Sequence, residues 1–155
     1  MNFKNINYLA GTKNISIKSL VPYANITCEF FDELSRLLLK STKAKKYTDI
    51  ISFAFWCRKK NIQNFKKNIN NSEFRVGLGL IFHICPSNIP VNFAYSFAFG
   101  LLSGNSNIVR VPSKSFPQVK IICDLINYLF KTKKFKSFNN TNLFVRYDQQ
   151  DIITS

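Results

Sequence analysis

The spacing of apolar positions changes character once along the chain. Phe30, Phe31, Leu34, Leu37 and Leu38 recur at the i, i+3, i+4, i+7 interval that gathers side chains on one helical face. Thr27 stands where its hydroxyl would cap that helix. Thr48 similarly precedes a second helix, Asp49 to Arg58, with Ile51, Phe55 and Trp56. A third carries Ile62, Phe65 and Ile69 against Lys59, Lys60, Lys66 and Lys67, which read as a solvated face. Residues 1–25 have no clean period and form an irregular or partly stranded lead-in.

At Asn70-Asn71-Ser72 a polar turn cluster gives way to Val76 to Ile84, a short apolar run that suits a fully buried strand. Pro86 and Pro90 break it. A buried helix, Asn92 to Leu102, follows and is closed by Gly104. Asn107 to Val111 then reads as a strand, Phe116 to Phe130 as a helix and Asn142 to Arg146 as a strand, with a further helix starting after Asp148. Alternation of this kind predicts parallel pairing through right-handed crossovers. The expected architecture is α/β: a mainly helical lead-in over 1–71, then over 72–155 the first part of a doubly wound, Rossmann-like parallel sheet. Three strands are too few for a whole dinucleotide-binding sheet, so that domain is expected to be truncated.

Composition sharpens the picture in places. The 155 residues are 46% hydrophobic and 19% charged, which excludes disordered and fibrous classes. Twenty-two Lys and Arg against eight Asp and Glu give a formal charge of +14. Charge alone supplies only the non-specific part of nucleic-acid binding. Cys28, Cys57, Cys85 and Cys123 are widely separated and His83 is the only histidine, so no metal site is expected. No secretory leader is evident and the thiols suit a reducing compartment, so a cytoplasmic protein is expected. Val76 to Val109 carries no charged residue if His83 is neutral, but Pro86, Asn88, Pro90 and Asn92 interrupt it, and no transmembrane segment is expected.

In an open α/β sheet ligands meet the loops at the carboxyl ends of the strands. After the first strand comes Pro86-Ser87-Asn88-Ile89-Pro90; after the second, Arg110-Val111-Pro112-Ser113-Lys114. No glycine-rich phosphate loop is expected, because Gly77 and Gly79 fall inside the first strand and not at the strand-to-helix turn. ICPSNIP and SGNSNIVRVPSKSFP resemble the aldehyde dehydrogenase superfamily, with its P-x-N-x-P turn and its G-N strand leading to P-S-E. Within it, FAFWCRKKNI, the block from Gly77 to Lys114, and FVRYDQQDI resemble the acyl-CoA reductases of the LuxC type.

That resemblance implies an NADPH-dependent reductase that takes a fatty acyl thioester, on coenzyme A or an acyl-carrying protein, to the aldehyde. A cysteine thiolate attacks the acyl carbon and hydride then reduces the acyl-enzyme. It implies that Asn88 donates to the oxyanion, and that Arg110, Ser113, Lys114 and Gly104 meet the cofactor. Lys114, where related chains carry an acid, would favour NADP(H). Read without it, Asn88 is an Asx turn and Lys114 a solvated lysine. The nucleophile lies in a later domain of such enzymes and no residue here matches it, so this chain alone is expected to be inactive, or to need a second chain supplying the rest. Cys85, beside His83, is expected to be a buried structural thiol. The rival reading is a basic module for nucleic acid or anionic lipid, built on Lys43 to Lys46 and Lys131 to Lys134.

Overall fold

The computed structural model describes residues 6–69 and 74–147. Strand β1 (Asn7–Gly11) is followed by helices α1 (Asn25–Lys40), α2 (Thr48–Trp56) and α3 (Lys59–Lys67), with a 3-10 turn at Ala44–Lys46. Then come β2 (Leu80–Ile84), α4 (Asn92–Leu102), β3 (Ser106–Arg110), α5 (Pro117–Lys131), the single turn α6 (Lys136–Asn139) and β4 (Asn142–Arg146). The sheet order is β1-β4-β3-β2, with β2, β3 and β4 parallel and β1 antiparallel on the outer edge of β4. The helix proposed after Asp148 lies outside the described residues, as does the turn at Asn70-Asn71-Ser72.

The α/β alternation is therefore present, in a mixed rather than wholly parallel sheet. Strand β1 comes from the lead-in and pairs with the last strand. One core runs from α1 and α2 through α4 and α5 to the helix-covered face of the sheet. Phe30 is at its centre, edge-on to Phe31, Phe97, Phe135 and Phe138 and stacked on Phe130, with ring centroids 5.3–6.2 Å apart. Phe97 carries the cluster to Phe144 of β4 at 4.8 Å. These edge-to-face pairs add to the area each ring removes from water.

Two local expectations change. Thr27 does not cap α1: Ala24 is the N-cap, its carbonyl accepts the amides of Thr27 and Cys28, and the buried Thr27 hydroxyl has no partner. The backbone turn at Val21 to Ala24 starts the helix three residues early. Likewise Thr48 lies within α2, whose N-cap is Tyr47, while Asp49 accepts the Ile50 amide.

The run from Val76 to Ile84 is not a fully buried strand. Only Leu80–Ile84 pairs, at the edge of the sheet, so Gly77 and Gly79 lie before the strand and not inside it, and Leu80, Phe82 and Ile84 are exposed. Apolar composition records that a strand suits burial on both faces; it cannot record whether the covering neighbours lie within the same stretch of chain.

Register among the parallel strands is held by a row of polar side chains on the helix-covered face. Asn107 of β3 donates through Nδ2 to the Asn105 carbonyl and to Asn142 Oδ1, both at 2.8 Å. Asn142 of β4 donates to the Phe138 carbonyl and the Thr141 hydroxyl, both at 3.0 Å. With both amide protons of Asn107 used, its Oδ1 is the acceptor for His83 Nε2 at 2.9 Å, so that nitrogen carries the proton. The close approach is permitted by Gly100 of α4, where a methyl group would collide with Asn107 Oδ1 and press on His83 Nε2. Gly100→Ala should therefore break the His83–Asn107 contact and cost about 1–3 kcal/mol, the penalty for stranding a buried polar group. Equilibrium urea unfolding reads it as a lower midpoint with an unchanged slope; an unchanged midpoint would contradict this reading of the row.

Candidate functional site

The register places Ile84, the last residue of β2, opposite Arg110, the last of β3, and Arg110 opposite Val145 of β4. The loops that follow β2 and β3 thus leave the same end of the sheet. Asn88 is exposed in the first loop, between Pro86 and Pro90. In the second, Pro112 is buried, Ser113 half-buried and Lys114 exposed, its ammonium 5.3 Å from the centre of the Phe116 ring.

Arg110 behaves differently from an open cofactor contact. It is buried, its guanidinium lies 4.7 Å from the centre of the Tyr147 ring, and Nη2 donates to the Tyr147 carbonyl at 3.2 Å. Arg110 Nε and the Tyr147 hydroxyl are both buried without a partner, and among the described residues no carboxylate pairs with this guanidinium. A buried cation with an unmet donor is costly unless an anion or acceptor completes it. A phosphate or carboxylate oxygen is the group such a donor takes.

Arg146 and Tyr147 are contributions that the two-loop reading missed. Arg146 donates from Nε to the Pro112 carbonyl at 3.0 Å and so ties the Arg110-to-Lys114 loop to β4. The signal was available: the rule that singled out the carboxyl ends of the first two strands applies equally to the third.

Gly104 is not brought to this end. It sits in the turn between α4 and β3, at the amino end of the strands, with φ +88°. Its carbonyl accepts the Leu20 amide at 2.8 Å, the Leu20 carbonyl in turn accepts the Gly77 amide, and a side chain at Gly104 would strike that Leu20 carbonyl. Asn105 beside it donates to the Gly100 carbonyl and accepts the Gly79 amide. The Gly-Asn pair that contributes to the resemblance is thus an architectural clasp joining helix, strand and lead-in.

His83 and Cys85 do not form a pair that could activate a nucleophile, since the imidazole is engaged with Asn107. Burial pushes the Cys85 thiol up, with a smaller opposing pull from the Ser96 hydroxyl and the Arg110 charge. Burial likewise raises Cys28, Cys57 and Cys123, the last two most strongly. All four cysteines are free, and among the described residues no cluster of His, Cys, Asp or Glu could hold a metal. No helix among them is long and apolar enough to cross a membrane.

An open four-stranded sheet with three parallel strands, joined through α4 and α5, makes this an α/β protein. The family model described as acyl-CoA reductase (LuxC) matches residues 2–132, and the chain belongs to that family. No curated protein and no solved structure matches it.

A thiol held neutral by burial is a poor nucleophile. Iodoacetamide at neutral pH should label Cys28, which is half-buried, well before Cys57, Cys85 and Cys123, as read by mass spectrometry of peptides; early labelling of Cys85 would contradict its structural role. Because folding raises these pKa values, the unfolded chain loses thiol protons first. Stability should therefore fall as pH rises past the ordinary thiol value of about 8.5.

Proposed function

We propose that this chain forms the first part of the cofactor domain of an NADPH-dependent acyl-CoA reductase, with a fatty acyl thioester as substrate and the aldehyde as product. Membership of the LuxC family supports a reductase acting on an acyl thioester. The observation that carries the reading further is the pairing of Ile84 with Arg110, which sets the Asn88 loop beside the Arg110-to-Lys114 loop.

NADPH, when bound, supplies the hydride. The chain's own residues bind and orient. Lys114, exposed in the loop after β3, takes the 2′-phosphate, and Arg110, the buried residue from which that loop departs, adds a second cation to the same end of the sheet. Ser113 offers a hydroxyl between them. Asn88, held out by its two prolines, donates its side-chain amide to the oxygen that gains charge as the acyl carbon becomes tetrahedral. No residue here is assigned as the nucleophile: the four thiols sit on or beside buried helices and strands, and turnover requires the cysteine that the rest of such a reductase provides. The chain is accordingly proposed to be inactive alone and to act in the cytoplasm.

A Lys114→Ala exchange removes an exposed ammonium without disturbing the core. It should weaken NADPH binding about tenfold or more and leave NADH unchanged, because a charge-assisted contact contributes about 1.5–3 kcal/mol. Titration calorimetry measures both. Equal affinity for NADPH before and after the exchange would remove Lys114 from the site. In the complete reductase, Asn88→Ala should lower turnover about 100- to 1,000-fold with cofactor affinity retained.

A further inference from the structure

The loop that follows β3, Val111 to Phe116, contains no glycine. A glycine-rich phosphate loop cradles its anion on several backbone amides at once. Here the exposed cation is a side chain: Lys114 carries its ammonium on a flexible stem, so the place of the charge follows the backbone beneath it. Whatever fixes that backbone fixes where the charge can stand.

The carboxyl end of β4 grips the loop at three successive points. The Val145 carbonyl accepts the Val111 amide at 2.9 Å, which carries the ladder one residue past β3. Arg110 reaches the Tyr147 carbonyl at 3.2 Å on the face of the sheet away from α4 and α5. Arg146, two residues after Phe144 and so on the helix-covered face, donates from Nε to the Pro112 carbonyl at 3.0 Å. Beyond Pro112 the tethers stop. Among the described residues Ser113, Lys114 and Ser115 make no hydrogen bond, and the chain is next fixed where the Phe116 carbonyl accepts the Lys120 amide of α5. The bond from Arg146 is therefore the last hold on the loop before Lys114.

We infer that Arg146 is a positioning residue that sets the preference for NADPH over NADH. It acts through Pro112 and touches no part of the cofactor. This rests on the reading in which Lys114 takes the 2′-phosphate. A loop already fixed loses less freedom when its ligand arrives, and that gain reaches only the nucleotide whose phosphate meets Lys114. The bond from Arg146 thus does for a side-chain cation what glycine turns do for backbone amides.

Two exchanges at one position separate the tether from the charge. Gln places an amide nitrogen where Arg carries Nε, and Met fills the same length without a donor. The measurements are titration calorimetry of the chain with NADPH and with NADH, and NMR order parameters of the amides of residues 113–115. Arg146→Met should lower those order parameters and weaken NADPH binding about fivefold with NADH unchanged, the effect of having to order one short segment on binding. Arg146→Gln should retain the loop order and keep NADPH affinity within about twofold of the parent, since the donor survives.

Unaltered loop order or NADPH affinity in Arg146→Met would overturn the proposal, as would an equal loss for both nucleotides. So would an Arg146→Gln chain that falls as far as Arg146→Met, because the charge and not the tether would then be the cause. Circular dichroism checks that each variant is folded; should Arg146→Met not fold, Arg146→Gln decides, since it must discriminate as the parent does. A parent that binds NADPH no more tightly than NADH removes the cofactor reading and this inference with it. A preference lost in Lys114→Ala but kept in Arg146→Met removes this inference alone.

Discussion

The polar row from His83 through Asn107 to Asn142 is the constraint on which the rest of the molecule depends. Each group in it is buried or half-buried, and the amide protons of Asn107 and Asn142 are all donated, so each strand has one position relative to its neighbour. A slip by one residue would turn every side chain of that strand to the wrong face and strand these amides in the core. An apolar pair at the same places would pack in more than one register. The row therefore brings Ile84, Arg110 and Val145 level, and with them the loops that follow β2 and β3.

Much of this was legible in the residues. Strand β4 spans the residues expected of it, β3 and α5 fall within a residue of expectation, and α4 coincides with the apolar stretch before Gly104. Local signals of that kind are set by side-chain period and survive folding. The Thr27 cap failed because a backbone turn supplied by Val21 to Ala24 reached the helix first. Strand β1 was only partly foreseen, since five residues beside a long loop carry little period of their own.

The candidate site was legible at its loops and obscure at its floor. Prolines around Asn88 and the cation after β3 mark positions by residue type. That Arg110 would turn under Tyr147, and that Arg146 would hold the loop through the Pro112 carbonyl, depends on β4 lying beside β3. Such pairing is a property of the sheet and not of either segment. Gly104 lies at the other end of the strands, where its positive φ and the Leu20 carbonyl against it account for a glycine.

The central claim is that the two carboxyl-end loops form one nucleotide-facing surface. Amide chemical-shift mapping of the isotope-labelled chain titrated with NADPH addresses it directly. The account predicts that the largest shifts fall on Ser87 to Ile89 and Val111 to Lys114, with the backbone of Tyr147 responding through Arg110. Shifts confined to Lys43 to Lys46 and Lys131 to Lys134, or none at the two loops, would contradict it.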